Sequence, residues 1–182
     1  MPVPDFSPGE VLTAAAMDSI GLWLVKTQTV GTGVTSVVVT DAFSANYDNY
    51  YVTWTGGVTS GAVALTFQLG PSSVSGFNTS YFMVTPAATV AGAFQPILTN
   101  NASTWNNAGM GDTNAATLDI TLFEPQKARF TRVKTSWIDS RNSFVFGQGA
   151  GVHQIASAFT NFTISSAGTL TGGTIRVYGF RN

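Results

Sequence analysis

The sequence predicts an all-β fold, a β-sandwich of the jelly-roll type, with a short N-terminal helical or extended anchor. Runs of β-branched and aromatic residues recur along most of the chain, each bounded by clusters of Gly, Asn or Pro, which is the pattern of short strands joined by turns. Apolar residues at helical spacing occur only near the N-terminus, and no repeat period typical of solenoids or propellers is present. Many strands with so little helix pack best as two sheets.

The N-terminal segment is the one stretch with a helical pattern. Leu12, Ala16, Met17 and Ile20 recur at helical spacing. Thr13 can cap this helix at its start, and Gly21 can end it. Because two turns of helix are unstable alone in water, we expect them to bury their apolar stripe against the sandwich, a sister subunit or another protein.

We therefore divide the chain into two parts. A length of 182 residues suits one domain with a short appendage. Residues 1–26 are expected to form an anchor or oligomerisation segment, and residues 27–182 a β-sandwich domain. The side chains expected to hold the anchor on its partner are Leu12, Met17, Ile20 and Trp23.

Eleven strands are predicted after this segment, and the last one, TIRVYGF, alternates most clearly. On it, Ile175 and Val177 face one side of the sheet. Arg176, Tyr178 and Phe180 face the other side. In chain order, the predicted strands are Leu22–Val30, Ser36–Thr40, Asn49–Thr55, Val63–Leu69, Tyr81–Thr85, Ser103–Asn106, Ala116–Phe123, Ala128–Ile138, Ser143–Gly149, Phe159–Ser165 and Gly173–Phe180.

Composition narrows the class of protein. Only 9% of the residues are charged, against roughly 25% in an average soluble domain, and the net charge is -1. The polar surface must therefore consist mainly of Ser, Thr, Asn and Gly, which is typical of extracellular and virion-surface β proteins that bury one face in an oligomer. The chain has no Cys, which excludes disulfides, thiol nucleophiles and Cys-type zinc sites.

Neither an export signal nor a membrane span is predicted. The opening MPVPDF lacks the basic region of a signal peptide. The apolar stretch FMVTPAATVAGAFQPIL is interrupted by Pro86 and Pro96, so we do not expect it to insert into a membrane.

The candidate catalytic residues form no recognisable site. His153 is the only histidine and no Ser stands in a nucleophile motif, so we expect a His that is hydrogen-bonded within a strand or turn. The acidic residues considered for a glycosidase pair are Asp112, Asp119, Glu124 and Asp139. Their spacing singles out no pair, and Asp is common in turns. The Gly-rich GQGAG resembles a phosphate loop only in composition. We expect no enzymatic activity, no cofactor and no metal.

Five of the eight basic residues lie in a strip between Lys127 and Arg141. Such a strip can bind nucleic acid or an acidic polysaccharide. Phe130, Val133 and Trp137 are interleaved with it, which suits alternation on a strand. We therefore favour a solvated strand face or inter-subunit salt bridges, and we expect no nucleic acid as a partner.

The polar stretch Asn100 to Asn114 carries Trp105 among Asn and Ser residues. An exposed aromatic ring beside amides is a common way to build a sugar site, because the ring stacks on the sugar and the amides bond its hydroxyls. Trp105 can equally plug the open end of the sandwich, and the sequence leaves both interpretations open. The side chains predicted to contact a receptor or glycan are Trp105, Phe77 and Tyr81, on outer loops expected at Phe77–Tyr81, Asn100–Asn114 and Ser140–Gly151.

Three segments resemble a family of tailed-bacteriophage virion proteins described as tail fibre, minor tail or structural proteins. They are GEVLTAAAMDSIGLWLVKTQ near the N-terminus, DAFSANYDNYYVTW in the first third and LTGGTIRVYGFR at the end, in matching order. The resemblance is thin between Ser72 and Asn142. Ala16 and Asp18 also stand where the family tends to have an acidic residue and Asn.

The resemblance implies a non-enzymatic virion structural protein, assembled in the host cytoplasm. It implies a short homotrimeric surface appendage, a tail fibre or receptor-binding adhesin, whose N-terminus docks on another virion protein. The partner at the outer end would be the host surface polysaccharide. Two alternatives remain: a capsid decoration protein, of the cement or head-fibre type, that stabilises the shell, and a carbohydrate-binding module.

Overall fold

The computed structural model describes residues 21–70, 75–87, 90–139 and 145–180. These residues form thirteen antiparallel strands and no helix, so the fold is all-β as predicted. The predicted helix, and with it Leu12, Met17 and Ile20, lies outside the described residues. The strands are β1 (Leu22–Thr29), β2 (Val34–Val39), β3 (Asn49–Thr55), β4 (Val58–Thr59), β5 (Val63–Leu69), β6 (Phe77–Ala87), β7 (Val90–Ala102), β8 (Trp105–Gly111), β9 (Ala116–Phe123), β10 (Arg129–Asp139), β11 (Val145–Ser157), β12 (Phe162–Thr171) and β13 (Thr174–Phe180).

Eight of these strands form the predicted β-sandwich with the topology of a jelly roll. One sheet has the order β1-β13-β3-β9 and the other has the order β2-β12-β5-β8, and the pairing of β8 with β9 joins the two at one edge. The chain passes between the two sheets along the order β1, β2, β3, β5, β8, β9, β12 and β13, which is the double Greek key of a jelly roll. The short β4 pairs with β12 at one end of the sandwich.

The core lies between these two sheets and follows the alternation of their strands. On β9, for example, Ala116, Leu118, Ile120 and Leu122 are buried, and the residues between them are half-buried. The last strand behaves as predicted: Ile175 and Val177 are buried, whereas the alternate positions lie on the outer face. Alternation of this kind is what a strand with one buried face requires.

Two hairpins are inserted into the jelly roll and enlarge one of its sheets. The hairpin β6–β7 lies between β5 and β8 in the chain, and the hairpin β10–β11 lies between β9 and β12. They pair with each other through β11 and β6, so that the first sheet continues as β9-β10-β11-β6-β7. We refer to β6, β7, β10 and β11 together as the extension.

Several strand predictions need correction. The strands predicted at Tyr81–Thr85, Ser143–Gly149 and Phe159–Ser165 overlap β6, β11 and β12 but are shorter than these, and neither β4 nor β7 was predicted. β7 was not predicted, because Pro96 reads as an interruption, yet it runs from Val90 to Ala102. Proline is tolerated there because β7 is the last strand on its side of the sheet and pairs on one side only, with β6. The strand predicted at Ser103–Asn106 is β8, which runs from Trp105 to Gly111.

The outer loops expected at Phe77–Tyr81, Asn100–Asn114 and Ser140–Gly151 are for the most part strands. Phe77–Tyr81 belongs to β6, and the described part of the third segment belongs to β11. The segment Asn100–Asn114 contains the end of β7 and all of β8. Pairing within the enlarged sheet satisfies backbone groups that a loop would leave to water.

The N-terminal strand crosses the predicted boundary between residues 26 and 27. β1 pairs with β13 from Leu22 onward, so residues 22–26 belong to the sheet. Trp23 lies opposite Gly179 on the inner side of the sheet and is half-buried. Its role in anchoring stays a prediction.

Candidate functional site

The three aromatic residues predicted to contact a receptor are buried. Phe77 has no exposed surface, Trp105 is 1% exposed and Tyr81 is 6% exposed. The prediction that these rings are presented on outer loops is therefore wrong. Of the two interpretations of Trp105 that the sequence left open, packing inside the protein is the one that its burial supports.

These rings are buried because they join the core of the jelly roll to the extension. Trp105 stacks on Phe67 of β5 at a centroid distance of 6.1 Å and meets the edge of Phe77 of β6 at 5.0 Å. Phe67 in turn stacks on Phe162 at 4.6 Å, and Phe77 lies 4.5 Å from His153. Contacts at these distances bury aromatic rings favourably.

β8 lies across the inner face of the extension and forms hydrogen bonds with it in both directions. The Trp137 indole donates a hydrogen bond to the Asn107 carbonyl at 3.1 Å, and the Thr135 hydroxyl donates to the Ala108 carbonyl. The Asn107 amide donates to the Tyr81 hydroxyl at 2.7 Å. Asn107 has a φ of 54°, a left-handed conformation that Asn adopts more readily than most residues.

The GQGAG stretch lies on β11, and its glycines make room for side chains rather than for a phosphate. A Cβ on Gly147 would overlap the Trp137 ring. A Cβ on Gly151 would lie 2.8 Å from the Trp105 indole nitrogen and 2.6 Å from the Asn78 carbonyl. Only glycine allows these rings to lie directly on the strand.

His153 has the ordinary role expected for it. The ring is fully buried on β11, and its Nε2 lies 2.8 Å from the Ser75 carbonyl, which fixes Nε2 as the protonated nitrogen of the neutral ring. Burial lowers the pKa of His153 below its usual value of 6.5, and the hydrogen bond to Ser75 opposes this only in part. The group is therefore a neutral structural residue near pH 7.

Three of the four carboxylates considered for catalysis, Asp112, Asp119 and Glu124, have structural partners. Asp112 accepts hydrogen bonds from the backbone amides of Asn114 at 2.6 Å and Ala115 at 3.0 Å, as expected of an Asp in a turn. Asp119 accepts the Tyr51 hydroxyl at 2.9 Å. Among the described residues, no three His, Asp or Glu side chains lie close enough together to hold a metal ion. Those residues also form no helix long and apolar enough to cross a membrane.

The outer face of the enlarged sheet carries a trough that the sequence did not reveal. Phe123, Arg132, Val152 and Asn78 lie directly opposite one another on β9, β10, β11 and β6, so their side chains share this face. The trough has a volume of about 870 Å³. Its lining also includes Leu98 of β7, which is 78% exposed.

The basic strip supplies the charge of this trough. Arg132 and Lys134 are exposed on β10 and Val133 between them is buried, so the predicted alternation holds for this part of the strand. It fails at Phe130, which is 46% exposed beside the register shift between Arg129 and Thr131. The Lys134 ammonium lies over the Phe123 ring, 6.0 Å from its centroid, which is within cation–π range.

The other described cations near the trough are neutralised within the chain. Lys127 pairs with Asp48 at 2.7 Å and with Glu124 at 3.2 Å, and Arg129 pairs with Glu124 at 3.2 Å. The hydrogen bonds to these carboxylates raise the pKa of the Lys127 ammonium. The salt bridges of the strip are thus intramolecular in the single chain.

A second depression of about 570 Å³ continues the trough along the same face. Lys134, Ser80 and Ala150 line both, and Asp119 and Gln148 line only the second one. Near this end, burial, reinforced by the hydrogen bond to Asp119, raises the pKa of Tyr51 to about 12, so its hydroxyl stays protonated and keeps Asp119 in place.

The site is therefore a shallow trough across five strands, with two exposed cations at its centre, amides and hydroxyls along its floor, and apolar groups between them. Arg132 and Lys134 were visible in the sequence as part of the basic strip. Their neighbours come from strands far apart in the chain and carry no sequence signal of a shared site.

Comparison with known proteins gives no relative for this chain. No protein-family model matches the sequence, and no curated protein matches it.

Proposed function

We propose that this chain is a non-enzymatic surface protein of a tailed-phage virion, an adhesin that binds a host surface polysaccharide through the trough. The virion setting rests on the resemblance of the N-terminal, Asp41–Trp54 and C-terminal segments to phage structural proteins. The observation that supports binding is the trough on the outer face of the extension. The structural roles of His153 and the carboxylates support a protein without catalysis.

The chemistry of the trough suits a carbohydrate. Amides and hydroxyls such as those of Asn49 and Ser80 can exchange hydrogen bonds with sugar hydroxyls. Phe123 and Val152 supply apolar surface for the sugar ring. A volume of about 870 Å³ is within the usual range of roughly 300–1,000 Å³ for ligand sites, which leaves room for a few sugar units.

The proposal includes a homotrimer attached to the particle by the N-terminal segment. Leu22 is 46% exposed and Leu24 is 55% exposed, and both lie on β1, where that segment joins the sheet. Phe180 lies directly opposite Leu22 and is 36% exposed. Grouped apolar side chains of this kind support contact with a sister subunit or with another virion protein.

The test compares the binding of two purified proteins to host cells: the wild type and a variant in which a large side chain fills the trough. Ala150 is an exposed alanine on the floor of both depressions, so Ala150→Trp should block the ligand without disturbing the core. We expect a loss of binding of at least about tenfold, equivalent to roughly 1.4 kcal/mol, with an unchanged melting temperature. The matched control is Val38→Trp, a replacement on the outer face of the other sheet, where Val38 is 54% exposed.

Equal binding of both variants would argue against the trough as the receptor site. A wild-type protein that does not bind host cells, but whose removal lowers the heat resistance of the particles, would support the capsid decoration role instead.

A further inference from the structure

We infer that the trough selects an acidic polysaccharide, one whose sugars carry carboxylate groups. This inference rests on the proposed function and names the class of its ligand. It is carried by the contrast between the cations of the basic strip that are paired and the two that are not.

The paired cations lie at one rim of the trough. Lys127 and Arg129 form ion pairs with Asp48 and Glu124, so this cluster of two cations and two carboxylates has no net charge. Both carboxylates line the trough. Their pairing removes the repulsion that they would otherwise exert on an acidic ligand.

Arg132 and Lys134 are different. Neither forms an ion pair within the described part of the chain, and both side chains are exposed in the trough. They lie two residues apart on β10, which places their Cα atoms about 7 Å apart on the same face. A guanidinium binds a carboxylate through two parallel hydrogen bonds, and an ammonium acts beside it as a second point charge.

The neighbours of these two cations strengthen their effect. Arg132 lies between Phe123 and Val152, and Lys134 lies between Thr121 and Ala150, so no carboxylate stands directly opposite either charge. The carboxylates that line the two depressions are engaged elsewhere, Asp48 and Glu124 in ion pairs and Asp119 with the Tyr51 hydroxyl. A cleft with low-dielectric walls concentrates the field of the charges that line it. A chain with a net charge of -1 can therefore present a locally positive site.

Nucleic acid fits this site less well than an acidic polysaccharide. Proteins that bind nucleic acid tightly commonly neutralise about 6–10 phosphates, and this site offers two uncompensated cations. The hydroxyl of Ser80 and the amide of Gln148 match sugar hydroxyls along the same face.

The experiment compares four immobilised polymers: a polyuronate, the same polymer after reduction of its carboxyl groups, dextran sulfate and single-stranded DNA. The test variant is the double replacement Arg132→Gln with Lys134→Gln. The matched control is Arg176→Gln, which removes a cation from the same face on β13, where Arg176 bonds to Thr55 at 3.0 Å outside the trough. Host-cell binding of all three proteins is measured in parallel.

We expect the wild type to bind the polyuronate at least about tenfold more tightly than the reduced polymer. The double variant should lose about the same factor and most of its salt dependence, and the Arg176→Gln control should stay within about twofold of the wild type. Tighter binding to dextran sulfate than to the polyuronate would replace carboxylate by sulfate as the recognised group. Tighter binding to DNA would overturn the inference in favour of nucleic acid.

Equal binding to the polyuronate and its reduced form would overturn the acidic ligand and leave the trough as a neutral glycan site. Host-cell binding that the double variant retains in full would overturn it as well, whatever the four polymers show. If the wild type binds neither host cells nor any polymer, the proposed function itself fails. A change of oligomeric state in the double variant would instead assign the two cations to a subunit contact.

Discussion

The jelly roll and the extension differ in what they bury on their inner faces. Between the two jelly-roll sheets, the fully buried side chains are large and apolar, such as Trp54, Phe67 and Ile120. Under the extension, the buried positions of β6 and β10 include Thr79 and Thr131, whose hydroxyls have no hydrogen-bond partner among the described residues. The strands of the jelly roll also have two such atoms, the indole nitrogens of Trp23 and Trp105, but Trp105 lies at the contact with the extension. Buried polar atoms without partners cost free energy, so the extension is expected to be the less stable region.

The difference assigns separate tasks to the two regions. The jelly roll supplies a tightly packed support, and the outer face of the extension, together with β9, forms the trough. Regions that bind ligands are commonly drawn from the less stable parts of a protein. The two regions meet at the contact of Trp105 with Phe67 and Phe77.

The largest expected effect tests this contrast directly, with matched truncations on either side of Trp105. Phe67 and Phe77 are both fully buried, and both contact that ring. Phe67→Ala should lower the free energy of unfolding by about 3–5 kcal/mol, because it opens a cavity in the jelly-roll core. Phe77→Ala should mainly loosen the extension.

Hydrogen exchange separates the two outcomes. For Phe77→Ala, we expect faster exchange in residues 75–102 and 129–157, with β3 and β13 still protected. Equal loss of protection in both regions would mean that the molecule unfolds as one cooperative unit, and the contrast would then concern packing only.

A smaller effect is expected where a glycine of the extension is filled. Gly147→Ala places a methyl group in the space of the Trp137 ring, which is 1% exposed and cannot easily move. Overpacking of this kind costs about 1–3 kcal/mol, measured by urea denaturation. Gly61→Ala is the control, since nothing lies within 4 Å of the added methyl group there. Equal stability of the two variants would show that the extension is loosely packed around Trp137.

The smallest effect concerns pH. Because burial lowers the pKa of His153 in the folded state, the unfolded chain binds a proton more readily. The stability that the neutral ring contributes is therefore present above pH 6.5 and is lost as the pH falls through the lowered folded-state pKa. Melting temperatures measured as the pH is lowered from above 6.5 check this prediction. The variant His153→Phe should lack this part of the pH dependence. An unchanged slope in that variant would assign the effect to carboxylates.

The jelly roll could largely be predicted from the sequence, and the extension only in part. The predicted strands Asn49–Thr55, Val63–Leu69 and Ala116–Phe123 match β3, β5 and β9 at both ends. Their alternation carries the signal, because one face of each strand is buried. In the extension, the predicted Ala128–Ile138 matches β10 to within one residue at each end, whereas β6 and β11 were predicted too short and β7 was missed. Pro96 and the glycines of β11 weaken the signal there, since residues that interrupt a strand in the interior of a sheet are tolerated at an edge or under a ring.

The candidate site was missed for a different reason. Trp105 stands among polar residues in the sequence, and its burial comes from β5 and β6, which are distant in the chain. Arg132 and Lys134 were recognisable as basic residues, but which cations are paired depends on Asp48 and Glu124. The pairing of strands that are distant in the chain determines both the burial of Trp105 and which cations form ion pairs. No short stretch of the sequence indicates this pairing.

The position of β13 has a consequence for how the protein comes to be folded. β13 lies between β1 and β3, and its register joins Leu22 to Phe180. Until the ribosome has released β13, the strands synthesised first and third have no strand between them, and the core under them is open. Pairings between the two ends of a chain form slowly and leave edges free for wrong partners. The apolar strands of a growing chain therefore stay without their final partners until almost the whole domain has been synthesised, which is when wrong pairing between strand edges is most favoured.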